Sequence, residues 1–340
     1  MPTRMASAWL ATPIGLCAAA VVCFGGGRAW SAPADDPSST VTVQAENATV
    51  ALAGLTDKYY VNGLGLSWTS PTGAVGGTLA DLDHAIWGDG QQREILSLVQ
   101  QIYTPANTHR IRPNPNDRPY AGLLLGNFGL LSDTDTSRSV IQLSLGLVGP
   151  DSGGEALQDA FHDAINQPHA SGWAHQIQDT AAVEVMAERT WRAPLTHFDN
   201  GLEVDALPAL TGGVGDLRDY AQAGVTFRLG QGLNSDFGAP RLRPGLSGED
   251  AFVATRPLAW YLFAGADAQL VGYDLLLQAS PFRSGPQAPL ERGVVEGQFG
   301  VSALTRRYRL SLGYVLQSAE VRNQSGGVHQ FLTAAIAAKF

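Results

Sequence analysis

The sequence predicts an all-β chain, a transmembrane antiparallel β-barrel of about 12 strands with a short helix in one long loop. Three observations carry this. First, strand-length segments separated by Gly, Pro, Asn, Asp and Ser recur along the chain, with Val, Thr, Tyr, Trp and Phe clustered inside them. Second, these segments alternate. In "IQLSLGLV", Ile141, Leu143, Leu145 and Leu147 oppose Gln142, Ser144 and Gly146. In "RYRLSLGYVLQ", Tyr308, Leu310, Leu312, Tyr314 and Leu316 oppose Arg309, Ser311, Gly313 and Gln317. A soluble sandwich also alternates, but here the second face is polar enough for a wet or polar-packed lumen, and the apolar face carries Leu with Tyr near strand ends. Third, the chain closes with "QFLTAAIAAKF", an alternating strand ending on the aromatic Phe340, like the terminal strand of bacterial outer-membrane barrels.

The elements follow in order. Residues 1–34 read as a secretory signal peptide, with Arg4 ahead of the apolar "AWLATPIGLCAAAVVCF" and small residues at Ala29–Ser31 and Ala32–Ala34 for cleavage. Residues 35–340 read as one barrel domain, with strands starting near residues 40, 59, 93, 119, 138, 181, 198, 217, 257, 293, 307 and 329. Longer connections are expected at about 71–92, 104–118, 150–180, 230–255 and 271–292. Closing such a sheet removes the open edges that lipid does not tolerate.

Both cysteines, Cys17 and Cys23, fall within the signal, so the mature chain has no thiol or disulfide chemistry. Loss of Arg4 and Arg28 takes the formal charge from −9 to −11, because residues 1–34 contain no acid. That balance argues against a nucleic-acid partner, which requires a basic face.

Chemistry has few places to sit. In "GPDSGGEALQDAFHDAINQPHASGW" the period changes from two to helical. Ser152 and Glu155 have capping-box spacing, and Leu157, Phe161 and Ile165 form a stripe expected to be buried. Gln158 and His162, four apart, share a second face. His162 is either a general base looking into a cleft or a solvent-exposed helix histidine. In "VTVQAENATV", Glu46 and Asn47 sit at a strand end, where acceptor oxygens suit a hard cation and where polar termini are also ordinary. Asp57 and Lys58 form a turn before the next strand. The loop "TPANTHRIRPNPNDRP" gathers His109, Arg110, Arg112 and Arg118, which either meet phosphates or remain a solvated loop.

The segments "ENATVALAGLTDKYYVNGLGLSW", "QIYTP", "NDRPYAG" and "VGPDSGGEALQDAFHDAIN" occur in the order found in the outer-membrane lipid A 3-O-deacylases, the LpxR-type family. The resemblance spans nearly the whole mature chain. It implies a monomeric barrel in the bacterial outer membrane, with lipid A or lipopolysaccharide and outer-membrane lipid as its partners. It implies a carboxylic-ester hydrolase that removes the 3′-acyloxyacyl chain of lipid A with calcium, at a site between barrel wall and outer-leaflet lipid. At matching positions, His162 would activate water and Gln158 would lie beside it. Asn47 would serve the metal and oxyanion environment, and Arg110 and Arg112 would contact lipid A phosphates. Asn116, Asp117, Arg118 and Tyr120 belong to the most recognisable family motif, expected to shape the rim. The chain departs from the pattern at Ala48, where the family usually has Asp, at Val61, where it often has Thr, and near Pro168, where an acidic residue is expected. The alternatives are a catalytically silent lipid-binding or structural barrel of the same fold, and a diffusion porin.

Overall fold

A computed structural model describes residues 35–48, 58–242, 251–280, 285–322 and 324–340. The expected signal peptide and Asp57 lie outside the described residues. Its strands are β1 Thr40–Asn47, β2 Tyr59–Thr69, β3 Gln91–Thr104, β4 Ala121–Asp133, β5 Ser137–Val148, β6 Thr180–Trp191 and β7 Ala193–His197. They continue as β8 Glu203–Gly215, β9 Arg218–Gln231, β10 Ala259–Asp274, β11 Gly293–Leu304, β12 Tyr308–Gln317 and β13 His329–Lys339. The helices are α1 Gly77–Trp87, α2 Gly154–Ala164 and α3 Leu275–Gln278.

Apart from β6 and β7, consecutive strands pair antiparallel, β1 pairs with β13, and β6 with β8, so the sheet closes on itself. The barrel has 12 wall strands plus one short extra one. β7 is the continuation of β6. Thr190 faces Ala209 and, after a break at Arg192, Ala193 faces Ala206 in the same register on β8. The strand expected near residue 198 is therefore split between the end of β7 and the start of β8 at Glu203.

The alternation sorts as the physics of a barrel in lipid requires. Leu143, Leu145, Leu310, Leu312, Val295 and Phe299 are exposed on the outside, while Ser144, Arg309, Ser311, Glu296 and Gln298 are buried inside. Inside, ion pairs line the lumen. Arg228 bridges Asp205 and Asp236, both at 2.6 Å, and Arg138 meets Asp133 at 2.7 Å. The connection after β9 folds inward. Its Phe237 lies under Arg138 and Arg192, Phe252 under Arg309, and Arg241 joins Glu46 at 2.9 Å and Glu296 at 2.8 Å. The space remaining among these side chains is a cavity of about 110 Å³. A lumen filled in this way is not the open channel of a diffusion porin.

Three sequence expectations about the helices are corrected. α1 and α3 add helices to two longer connections, where the sequence predicts a helix in one long loop alone. α1 follows from Leu79, Leu82 and Ile86 at helical spacing, yet these are exposed, and its buried residue is Asp83, which accepts a hydrogen bond from Gln92 at 2.9 Å. In α2 the stripe is inverted. Gly154, Gln158 and His162 are the buried face, Leu157 and Phe161 are half-buried, and Ile165 is exposed. The capping box is also absent. Gly153, left-handed with φ 77°, occupies the N-cap, and Ser152 donates to Gly149 O at 2.6 Å instead. The outer side of α2 carries Glu155, Ala160, Asp163 and Ala164 as well as Ile165, so its docking on the wall, and not its apolar stripe, decides which face is buried.

Candidate functional site

The site is built on the outer face of the wall. On β3, Gln101 and Tyr103 line the lumenal cavity, so Ile102 between them faces outward. The register then sets a row across four strands: Asn47 opposite Asn62, Asn62 opposite Ile102, and Ile102 opposite Gly122. With neighbouring strands about 4.8 Å apart, this row is roughly 14 Å long. It lies at the barrel end opposite the chain termini, where Ser39 and Phe340 pair.

α2 docks on this row. A Cβ on Gly154 would lie 2.7 Å from the Cα of Gly122, so only two glycines allow the helix backbone and the strand to approach this closely. Trp173, Tyr120, Ile102 and Val61 form a buried apolar cluster beneath the helix, joined by Leu157 and Ala170. Tyr120 and Trp173 have ring centroids 5.0 Å apart, a contact worth about 0.5–1.5 kcal/mol beyond the area it buries. Val61 is the extra residue of a bulge in β2 and fills this cluster. Because Leu157 packs against residues of β2 and β3, the 11-residue helix, about 16 Å long, leads from β4 toward the β2 side.

His162 is buried and firmly oriented. Helix α2 stops in a Schellman motif, in which Gln167 N donates to His162 O at 2.9 Å and Asn166 N to Asp163 O at 3.3 Å. Asn166 takes the left-handed conformation this requires, with φ 57°. The reversal brings the Pro168 carbonyl to 2.6 Å from Nδ1 of His162. A carbonyl only accepts, so Nδ1 carries the proton and Nε2 of the neutral ring carries the lone pair. The backbone oxygen of Pro168 thereby supplies the orienting acceptor at the position where an acidic side chain was expected. Gln158, one turn earlier, accepts from the indole N–H of Trp173 at 2.7 Å, which fixes its amide.

The remaining sequence candidates divide by location. Asn47 is half-buried at the end of β1. Ala48 is fully buried, and its N–H donates to Val61 O at 3.0 Å. Arg110, Arg112 and Asn116 are exposed on the neighbouring loop, and the carbonyl of Arg110 lies against Gly172. Asp117 ties that loop, accepting from Ala106 N at 2.9 Å and from Arg118 N at 2.8 Å. Arg118 turns away from the loop into the barrel mouth, 3.2 Å from Glu320 and stacked 4.5 Å from the Tyr103 ring. It is therefore separate from the exposed Arg110 and Arg112. Tyr120 donates to Thr108 O at 3.2 Å. Two participants carried no distinct sequence signal, Trp173 and the Gly122–Gly154 contact; Asn62, at the start of an alternating strand in the sequence, has its Oδ1 buried without a hydrogen-bond partner among the described residues.

Among the described residues, no group of three or more His, Cys, Asp or Glu is placed to hold a metal ion. Asn47 offers an amide oxygen at the strand-one position, while Ala48 and Val61 offer only a methyl and an isopropyl group, so the described side chains there do not fit a calcium site.

The family model for outer membrane protein LpxR matches residues 15–340. Among solved structures, LpxR from Salmonella typhimurium is 18% identical, covering 88% of this chain and 100% of that one, with a TM-score of 0.73. The β domain of the Bordetella autotransporter BrkA is 12% identical, covering 91% of this chain and 100% of that one, with a TM-score of only 0.40. No curated protein matches the chain.

Proposed function

Because the chain belongs to the LpxR outer membrane protein family, we propose that it is an outer-membrane ester hydrolase that removes the 3′-acyloxyacyl chain of lipid A. The observation that carries this reading is His162, buried between α2 and the lipid-facing side of the wall with its Nδ1 proton committed to Pro168. A base in that position meets a substrate that approaches through the outer leaflet.

In this mechanism Nε2 of His162 takes a proton from water as the water oxygen attacks the ester carbonyl. The tetrahedral oxyanion accepts a hydrogen bond from the side-chain amide of Asn47. Collapse breaks the acyl C–O bond, and the His162 proton passes to the leaving sugar oxygen, giving a free fatty acid and a hydroxyl. Gln158, held by Trp173, closes one side of the base, and Arg110 and Arg112 extend from the adjacent loop to lipid A phosphates.

Mass spectrometry of lipid A from cells expressing the chain tests the reading: the expected product lacks one acyloxyacyl chain, and His162→Ala leaves lipid A unchanged. Folded His162→Ala protein that still deacylates would refute the assigned base. The second reading, a silent barrel of the same fold, is favoured by buried Ala48. Unchanged lipid A in the presence of folded parental protein would select it. Activity appearing with calcium only in Ala48→Asp would trace the silence to metal loss.

A further inference from the structure

Below the His162 row, the outer wall is not uniformly covered. Strand β4 turns Gly122, Leu124, Gly126 and Phe128 outward. The register places Gly126 between Leu98 of β3 and Leu145 of β5, with Leu66 next beyond Leu98. The missing side chain leaves an open groove of about 670 Å³ on the lipid side, floored by Gly126 and walled by Leu66, Leu98, Leu143 and Leu145. Phe128 and Trp68 close its lower end. From Gly122, where α2 sits, to Gly126 is four residues, roughly 14 Å at the rise of a strand. The groove therefore leads straight down from the candidate site.

Between the two lies Gln100, which faces outward from β3 opposite Leu64 and Leu124. Its Nε2 is buried with no hydrogen-bond partner among the described residues. A polar group on a lipid-facing wall is costly unless something satisfies it. A donor at the head of an apolar groove matches an acyl chain, whose first carbons carry oxygen and whose remainder is hydrocarbon.

We propose that this groove seats the acyl chain whose ester is presented to His162. Gln100 donates to an oxygen of the acyl linkage, and Gly126 leaves the room that lets a long chain lie against the wall. This rests on the hydrolase reading above. Hydrocarbon gains little by moving from lipid to an apolar wall, so the groove aligns the ester and does not extract the chain.

The test is Gly126→Phe in the full-length protein in detergent micelles. A Cβ there meets nothing closer than 3.9 Å, so the barrel accommodates the substitution. Two probes are compared, lipid A carrying a tetradecanoyl ester at the cleaved position and an analogue carrying a hexanoyl ester. Filling the groove misplaces the long-chain ester, and the expected loss is about a hundredfold on that probe. The rate on the hexanoyl probe should hold, and Leu310→Phe, on the wall at β12, should leave both rates intact. Equal rates on the long chain, or an equal loss on both probes, overturn the proposal. If the parental protein hydrolyses neither probe, the hydrolase reading fails on its own. The groove is then judged by lipid retained per barrel in intact-complex mass spectrometry of His162→Ala with and without Gly126→Phe. Less retained tetradecanoyl lipid supports the groove, and equal retention overturns it.

Discussion

Gly154→Ala is the sharpest test of how the site is assembled. The new Cβ would lie 2.7 Å from the Cα of Gly122, whereas ordinary contact begins near 3.4 Å, so helix and strand must separate by at least 3.4 − 2.7 = 0.7 Å. Neither partner at the closest point is a flexible side chain, so the helix itself must lift. Gly154 and His162 lie on the same buried face, and the displacement is carried along the helix to the ring. A misplacement of about 1 Å costs on the order of a hundredfold in rate, or about 2.7 kcal/mol of barrier. Alanine is a better helix former than glycine, and Gly154 does not have a positive φ, so helix propensity works against the expected loss. The assay is the initial rate of fatty-acid release from lipid A in detergent, with heat-shifted gel mobility reporting barrel closure. Glu155→Ala, exposed on the same turn, is the control and should keep its rate. A closed Gly154→Ala barrel with parental activity would refute the close-contact argument.

Two further outcomes follow from the charges. Arg241→Met strips Glu46 and Glu296 of their shared guanidinium inside the lumen, and the expected loss is about 3–5 kcal/mol in denaturant unfolding, partly recovered when both acids are also changed to Gln. Unaltered stability of Arg241→Met would show that this pair is not part of what holds the inward-folded connection. The hydrogen bond that His169 donates to Asp163, 2.8 Å away, raises the pKa of this exposed histidine above its ordinary value, with Asp159 adding to the effect. The folded state thus favours the protonated ring, so this clamp on the turn after α2 is complete at low pH and is lost as pH rises through the raised value. NMR titration should place His169 above an ordinary histidine and return it toward that value in Asp163→Asn. An unchanged titration would dismiss the clamp.

Much of this architecture is legible in the chain because a barrel wall obeys a period of two. Strands such as Ile141–Leu147 and Tyr308–Gln317 announce which residues meet lipid and which meet the lumen, and the helix around Gln158 and His162 stands out as a break in that period. The burial of that helix was less legible. Leu157, Phe161 and Ile165 look like a core stripe from their spacing alone, but the close contact of Gly154 with Gly122 turns the Gln158/His162 face to the wall, and spacing does not reveal that contact.

The sequence by itself determined the barrel, its approximate strand starts, and the helix that carries Gln158 and His162, because side-chain alternation and turn residues are local properties. Tertiary structure alone decided that His162 faces the outer wall, that the Pro168 carbonyl orients it, that Arg118 pairs with Glu320 inside the mouth, and that Gly126 opens a groove below the site. Each of these depends on strand register or on a loop reversal that joins residues distant along the chain. Periodicity specifies which way a side chain points but not what stands opposite it.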